Sequence, residues 1–140
     1  MKTKLFSVVL FALLFISCSD DDRRLPYSGE PLEPATWQLV NVSGSIAGID
    51  DDFEPGAVKW TFNTDNTVTV VNNNTDEAKT DFFDSGNYTY GYVENTDSPE
   101  ACQNTIKISN IDFGCVNVTG NTMRFTQPYA DGYILTFEKI

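Results

Sequence analysis

Alternation of apolar and polar residues governs this chain from Trp37 to its end, and a period of two is the mark of a half-buried β-strand. Val58-Lys59-Trp60-Thr61-Phe62, Thr67-Val68-Thr69-Val70 and Tyr88-Thr89-Tyr90-Gly91-Tyr92 alternate strictly. Ile106-Lys107-Ile108-Ser109, Met123-Arg124-Phe125-Thr126 and Tyr133-Ile134-Leu135-Thr136-Phe137 follow the same rule. Trp37 to Val42 reads as a further strand and Cys115 to Thr119 as a short one. Between the runs stand Asn, Asp, Gly and Ser clusters, the residues that turns require: Asn63-Thr64-Asp65-Asn66, Asn72 to Asp76, Asp84-Ser85-Gly86-Asn87, Gly120-Asn121 and Ala130-Asp131-Gly132. The pattern predicts an all-β domain of about eight antiparallel strands. A short helix over Thr75 to Phe83, turning Phe82 and Phe83 inward, is the one helical segment it leaves room for.

Period two also assigns the faces. The inward set is Trp37, Leu39, Val58, Trp60, Phe62, Val68, Val70, Tyr88, Tyr90, Tyr92, Ile106, Ile108, Met123, Phe125, Tyr133, Leu135 and Phe137. At roughly 1.5–3 kcal/mol per large buried side chain, such a core offsets the ordering entropy of one domain. Composition narrows the function. The 140 residues include no His, which excludes from this chain His-based acid–base chemistry, His-activated nucleophiles and His-ligated zinc. A net charge of −11 opposes a nucleic-acid partner, which needs a basic surface.

The first residues have a different character. Met1-Lys2-Thr3-Lys4 is basic, and Leu5 to Ile16 is apolar with a single Ser. A membrane-spanning helix needs roughly 20 apolar residues, so this run reads as a signal peptide over residues 1–17. Phe15-Ile16-Ser17-Cys18 resembles the lipobox of bacterial lipoproteins. The resemblance implies cleavage before Cys18, a diacylglycerol thioether on its sulfur and a fatty acyl chain such as palmitate on its new amine. Ser19-Asp20-Asp21-Asp22 resembles the acidic export signal of surface lipoproteins in Bacteroidetes-type bacteria. It implies the outer face of the outer membrane; the alternative is a solvated linker beside a periplasm-facing anchor. Residues 18–36 carry Pro26, Pro31 and Pro34 and read as a semi-rigid tether, with a reach of roughly 55 Å at about 3.1 Å per residue.

The order of elements over residues 37–140 resembles the lipocalin-like domain of small lipoproteins in the same bacteria. The pieces are Trp37-Gln38-Leu39-Val40, the aromatic hairpin Trp60 to Val68, Gly86-Asn87-Tyr88-Thr89-Tyr90, Asn121-Thr122-Met123-Arg124-Phe125, and the closing Ile134 to Lys139. The resemblance implies an up-and-down antiparallel barrel of about eight strands, an architecture that can enclose a cavity, and it names no ligand. The rival all-β architecture is an immunoglobulin-like sandwich. Its cysteines lie far apart with a Trp between them, whereas Cys102 and Cys115 are close with no Trp between, which favours the barrel.

With Cys18 lipidated, Cys102 and Cys115 form an even pair in an oxidising compartment, which predicts a disulfide. A simple hairpin turning at Asp112 does not place them opposite each other. The bond therefore requires either that Ser109 to Gly114 fold back as a loop, or that the flanking strands not be neighbours. Asp50-Asp51-Asp52-Phe53-Glu54 is an acidic cluster that could hold Ca²⁺, but its spacing is not that of a calcium loop, and a solvated loop is the plainer reading. No two carboxylates stand out as a hydrolytic pair, so no enzymatic activity and no cofactor are expected.

The aromatic set Trp60, Phe62, Tyr88, Tyr90, Tyr92 and Phe125 has two readings: packed core, or the wall of a cavity for a small apolar or amphipathic ligand. Two functions follow. Either the barrel binds such a ligand, or the core is filled and the loops bind a protein or glycan. Interior volume separates them.

Overall fold

A computed structural model of the protein describes residues 32–140. The signal peptide at 1–17, Cys18, the acidic Asp20–Asp22 tract and most of the tether lie outside the described residues.

Nine strands form one antiparallel system: β1 (Ala35–Gly44), β2 (Ile49–Asp52), β3 (Val58–Phe62), β4 (Thr67–Asn72), β5 (Gly86–Glu94), β6 (Asn104–Ile108), β7 (Ile111–Thr119), β8 (Thr122–Thr126) and β9 (Tyr133–Lys139). From β3 to β9 each strand pairs with the next, and β9 pairs back on β1, with Trp37 opposite Lys139 and Gly44 opposite Tyr133. That pairing closes an eight-stranded up-and-down barrel, and a sandwich is excluded. The described residues contain no helix.

The ninth strand comes from the acidic segment read as a loop. β2 pairs with the second half of β1, Asn41 opposite Asp52 and Gly44 opposite Ile49, while β3 pairs with the first half, Trp37 opposite Trp60. The two therefore share one edge of β1. Between them the Phe53 amide donates to the Val40 carbonyl at 3.0 Å, at the point where the β1–β9 register slips between Leu39 and Asn41. Aspartate is a poor strand former, so three in succession hid the strand. Asn41 compensates, since its Nδ2 donates to Asp50 Oδ1 at 2.8 Å and Asp52 Oδ1 at 3.0 Å.

Two further expectations are corrected. Residues 75–83 are not helical. The Phe83 amide donates to the Asp81 carbonyl at 2.9 Å across Phe82, whose φ is 67°, which makes a γ-turn. That left-handed geometry costs a bulky residue on the order of 1–3 kcal/mol. It turns two consecutive rings toward the barrel, which an extended chain cannot do. β7 is also longer than the sequence suggested, beginning at Ile111 and bringing in Phe113. Leu32, ahead of the alternating pattern, is already buried against the core.

Candidate functional site: the barrel interior and its ends

The inward residues meet on the barrel axis. Trp60 on β3 is fully buried, and its ring lies 5.7 Å from that of Phe113 on β7. These strands are four places apart in a ring of eight, on opposite walls. Phe137 on β9 and Phe125 on β8 approach Trp60 to 5.0 and 6.1 Å, and Phe83 comes down from the β4–β5 loop to 5.5 Å. A barrel of eight strands has an interior just wide enough for side chains. Here aromatic rings span it from wall to wall.

One mouth is closed by the same chemistry. Phe82 packs edge-on against Phe113 at 5.1 Å and Tyr133 at 5.2 Å, and Phe83 lies over Tyr88 at 4.4 Å. The strained turn at Phe82 thus puts two rings over the opening.

The tyrosine row faces inward, as period two requires. Tyr90 is buried; Tyr88 and Tyr92 are half-buried and pack against the core. The Tyr88 hydroxyl donates to the Asp84 carbonyl at 3.0 Å. Tyr90 meets Phe62 edge-on at 5.3 Å. Burial raises the Tyr90 phenol above its ordinary pKa of 10.0, the Leu32 backbone opposes the shift, and Asp65 adds to it. The Tyr90 hydroxyl and the Trp60 indole N–H make no hydrogen bond of full geometry among the described residues. The Trp60 ring is surrounded by those of Phe83, Phe113, Phe125 and Phe137.

All six cavity candidates are thus brought together, but as contacting rings. A cleft of about 380 Å³ lies elsewhere, on the outside, between Glu94, Asn95, Pro99, Gln103 and Asn104. None of the six lines it.

This cleft adjoins the disulfide. Cys102 and Cys115 are bonded, with Cα atoms 5.9 Å apart. Neither arrangement anticipated for them is the one observed. β6 and β7 are neighbours, and their hairpin turns at Ser109-Asn110 rather than at Asp112. β7 pairs with β6 only up to Gly114 and with β8 from Cys115 onward. Gly114 has φ 75°, and a Cβ there would collide with the Thr126 carbonyl, so only glycine allows the switch. Beyond it the β6–β7 ladder is lost. The β5–β6 loop folds so that Cys102 bridges the gap, held by Asn95, whose Nδ2 donates to the carbonyls of Ser98 at 2.8 Å and Cys102 at 3.0 Å.

At the opposite end three connections tie together. The Ser45 amide donates to the Gly132 carbonyl at 3.2 Å, joining the β1–β2 turn to the β8–β9 loop. The Thr80 amide donates to Asp51 Oδ2 at 2.9 Å, and Lys79 Nζ to the Asp52 carbonyl at 2.6 Å, joining the β4–β5 loop to β2. The acidic cluster is therefore split: Asp50 and Asp52 face Asn41, while Asp51 faces Thr80. No group of three or more metal-ligating side chains is present among the described residues. Ile46 and Tyr129, at the tips of two of these connections, are 87% and 57% exposed. Sequence reasoning passed over both, because a lone apolar residue in a turn carries no periodic signal. Compared with known proteins, the chain matches no family model, no curated protein and no solved structure.

Proposed function

We propose that this chain is a lipid-anchored protein of the bacterial cell envelope, whose barrel is a packed, non-enzymatic platform and whose contacts with a protein partner or glycan are made by its loops. The anchor rests on the basic, apolar and Ser17-Cys18 sequence of the N-terminus, and its outward direction on Asp20–Asp22. The disulfide accords with an oxidising compartment. The observation that carries the platform reading is the 5.7 Å approach of Trp60 to Phe113 from opposite walls. Rings in contact across the axis occupy the space that a lipocalin-like ligand would take.

A second reading keeps a small amphipathic ligand inside the barrel. It is favoured by the buried Trp60 N–H and Tyr90 hydroxyl, two polar atoms that a ligand could engage. Titration with a fluorescent polyene fatty acid, followed through Trp37 and Trp60 emission, separates the two. The platform predicts no saturable change. Saturable binding that is lost in Tyr90→Phe would move the function into the barrel. For the anchor, Cys18→Ser should release the chain from membranes, and mass spectrometry should find acyl chains on Cys18; an unmodified N-terminus at Ser19 or beyond contradicts it. If changing Asp20, Asp21 and Asp22 to Ala leaves protease accessibility on intact cells unchanged, the tract is only a linker.

A further inference from the structure

The loop end that carries Ile46 and Tyr129 combines two properties. The first is exposed apolar tips. The β1–β2 turn presents Ile46-Ala47, and the β8–β9 loop presents Tyr129-Ala130, all four exposed. The tips are not loose. Gly44, Ser45 and Gly48 hold φ values of 103°, 60° and 65°, which set the turn, and the Ser45–Gly132 hydrogen bond locks one tip to the other loop. The Gly132 amide also donates to the Tyr129 carbonyl at 3.0 Å, closing the second tip on itself. A large apolar residue held rigidly in water costs little ordering entropy on binding, which is the property of an interface anchor.

The second property is a field of one sign. The segments 50–54, 76–84 and 131 contribute nine carboxylates and a single cation, Lys79. That cation is engaged locally, donating to the Asp52 carbonyl and lying 5.6 Å above the Phe53 ring.

Direction adds a third constraint. Leu32, the first described residue, lies beside Tyr90 at the end where β1 begins, while the acidic end is where β1 finishes. The described chain therefore begins at the end away from these loops. A chain held through its N-terminus presents the acidic end outward, and its charge disfavours an anionic lipid surface.

Resting on the platform reading, we infer that the loop end formed by residues 44–54, 73–85 and 127–132 is a docking surface for a cationic protein surface, with Ile46 and Tyr129 as its apolar anchors. The carboxylates steer a basic partner and select against acidic ones. The two side chains supply the apolar burial that steering alone lacks.

The test uses the full-length chain, ¹⁵N-labelled in neutral detergent micelles, titrated with an amphipathic Lys/Leu peptide and with its Glu/Leu counterpart. The Lys/Leu peptide should bind saturably and shift resonances at residues 46–47, 76–84 and 129–130, while the Glu/Leu peptide should not. The double variant I46S/Y129S should weaken binding by about tenfold or more. The variant D97N/E100Q, on the opposite end, should leave it unchanged. Equal loss in both variants, or none in I46S/Y129S, would mean nonspecific charge attraction and overturns the inference. Preference for the Glu/Leu peptide at the same loops overturns the cationic partner but leaves the platform standing. Shifts centred on Trp60 and Tyr90 overturn the platform itself.

Discussion

The two ends of this barrel solve the same problem by different means. At both, the hydrogen-bonded ladder runs out and an aromatic core must be kept from water. At the end holding the β4–β5 loop, noncovalent ties suffice: Phe82 and Phe83 close the mouth, and Thr80, Lys79 and Ser45 bind the connections to one another. At the end holding the β5–β6 loop, β6 and β7 part beyond Gly114, and a covalent bond spans the gap. The contrast indicates how each end can be used. At the stapled end the buried Asn95 is occupied internally, donating to two carbonyls and accepting from the Ser98 amide at 3.1 Å, while Glu94, Asp97 and Glu100 face solvent. The other end carries the denser set of carboxylates, beside the exposed Ile46 and Tyr129.

The largest expected effect breaks the comparison by removing what both ends share. Trp60→Ala should destabilise the domain by about 3–5 kcal/mol, the range for deleting a large buried aromatic. Amide exchange should then quicken at both ends alike. Faster exchange at one end only would mean that the ends do not share a core.

Replacing Cys102 and Cys115 by Ser sharpens the contrast. Loss of the bridge should cost around 3 kcal/mol by the chain-entropy argument for a loop of this size. Loosening should be concentrated in residues 95–103, with residues 76–84 little changed, as read by the same exchange experiment.

A smaller effect comes from pH. Burial raises the folded-state pKa of Tyr90 above 10.0, so the folded state holds its proton where the unfolded chain gives it up. Stability from this group is fully present below about pH 10 and falls as pH rises through that value toward the raised one. Urea unfolding of Tyr90→Phe should show a shallower alkaline decline than the unmodified chain. Identical slopes would place the phenol in water.

The smallest effect is at the proposed anchors. I46S/Y129S should change stability by no more than about 0.5 kcal/mol, because both side chains are exposed and neither belongs to the core. A larger loss would make them structural.

The strands could be read in advance wherever burial was one-sided. Val58 to Phe62 alternates in burial as it alternates in sequence, and the Tyr88-Tyr90-Tyr92 row points where period two places it. What stayed hidden has local causes. β2 is stabilised by pairing with β1 and by Asn41 rather than by its own residues. Phe113 lies between Asp112 and Gly114, which reads as a turn, and only the close approach to β8 reveals a strand there. Phe82 and Phe83 were expected to point inward, but a γ-turn was not, since its positive φ falls on a residue whose type argues against it. The interior itself was undecided. The sequence names aromatic residues on one face, and whether rings on opposite walls touch depends on the barrel's diameter.

That contact is the centre of the account, and xenon tests it most directly. Crystals of the protein pressurised with xenon report empty apolar volume, because the gas enters dry cavities and scatters strongly. The packed platform predicts no ordered xenon among Trp60, Phe113, Phe125 and Phe137. A xenon atom bound between the Trp60 and Phe113 rings would contradict it and place the function inside the barrel.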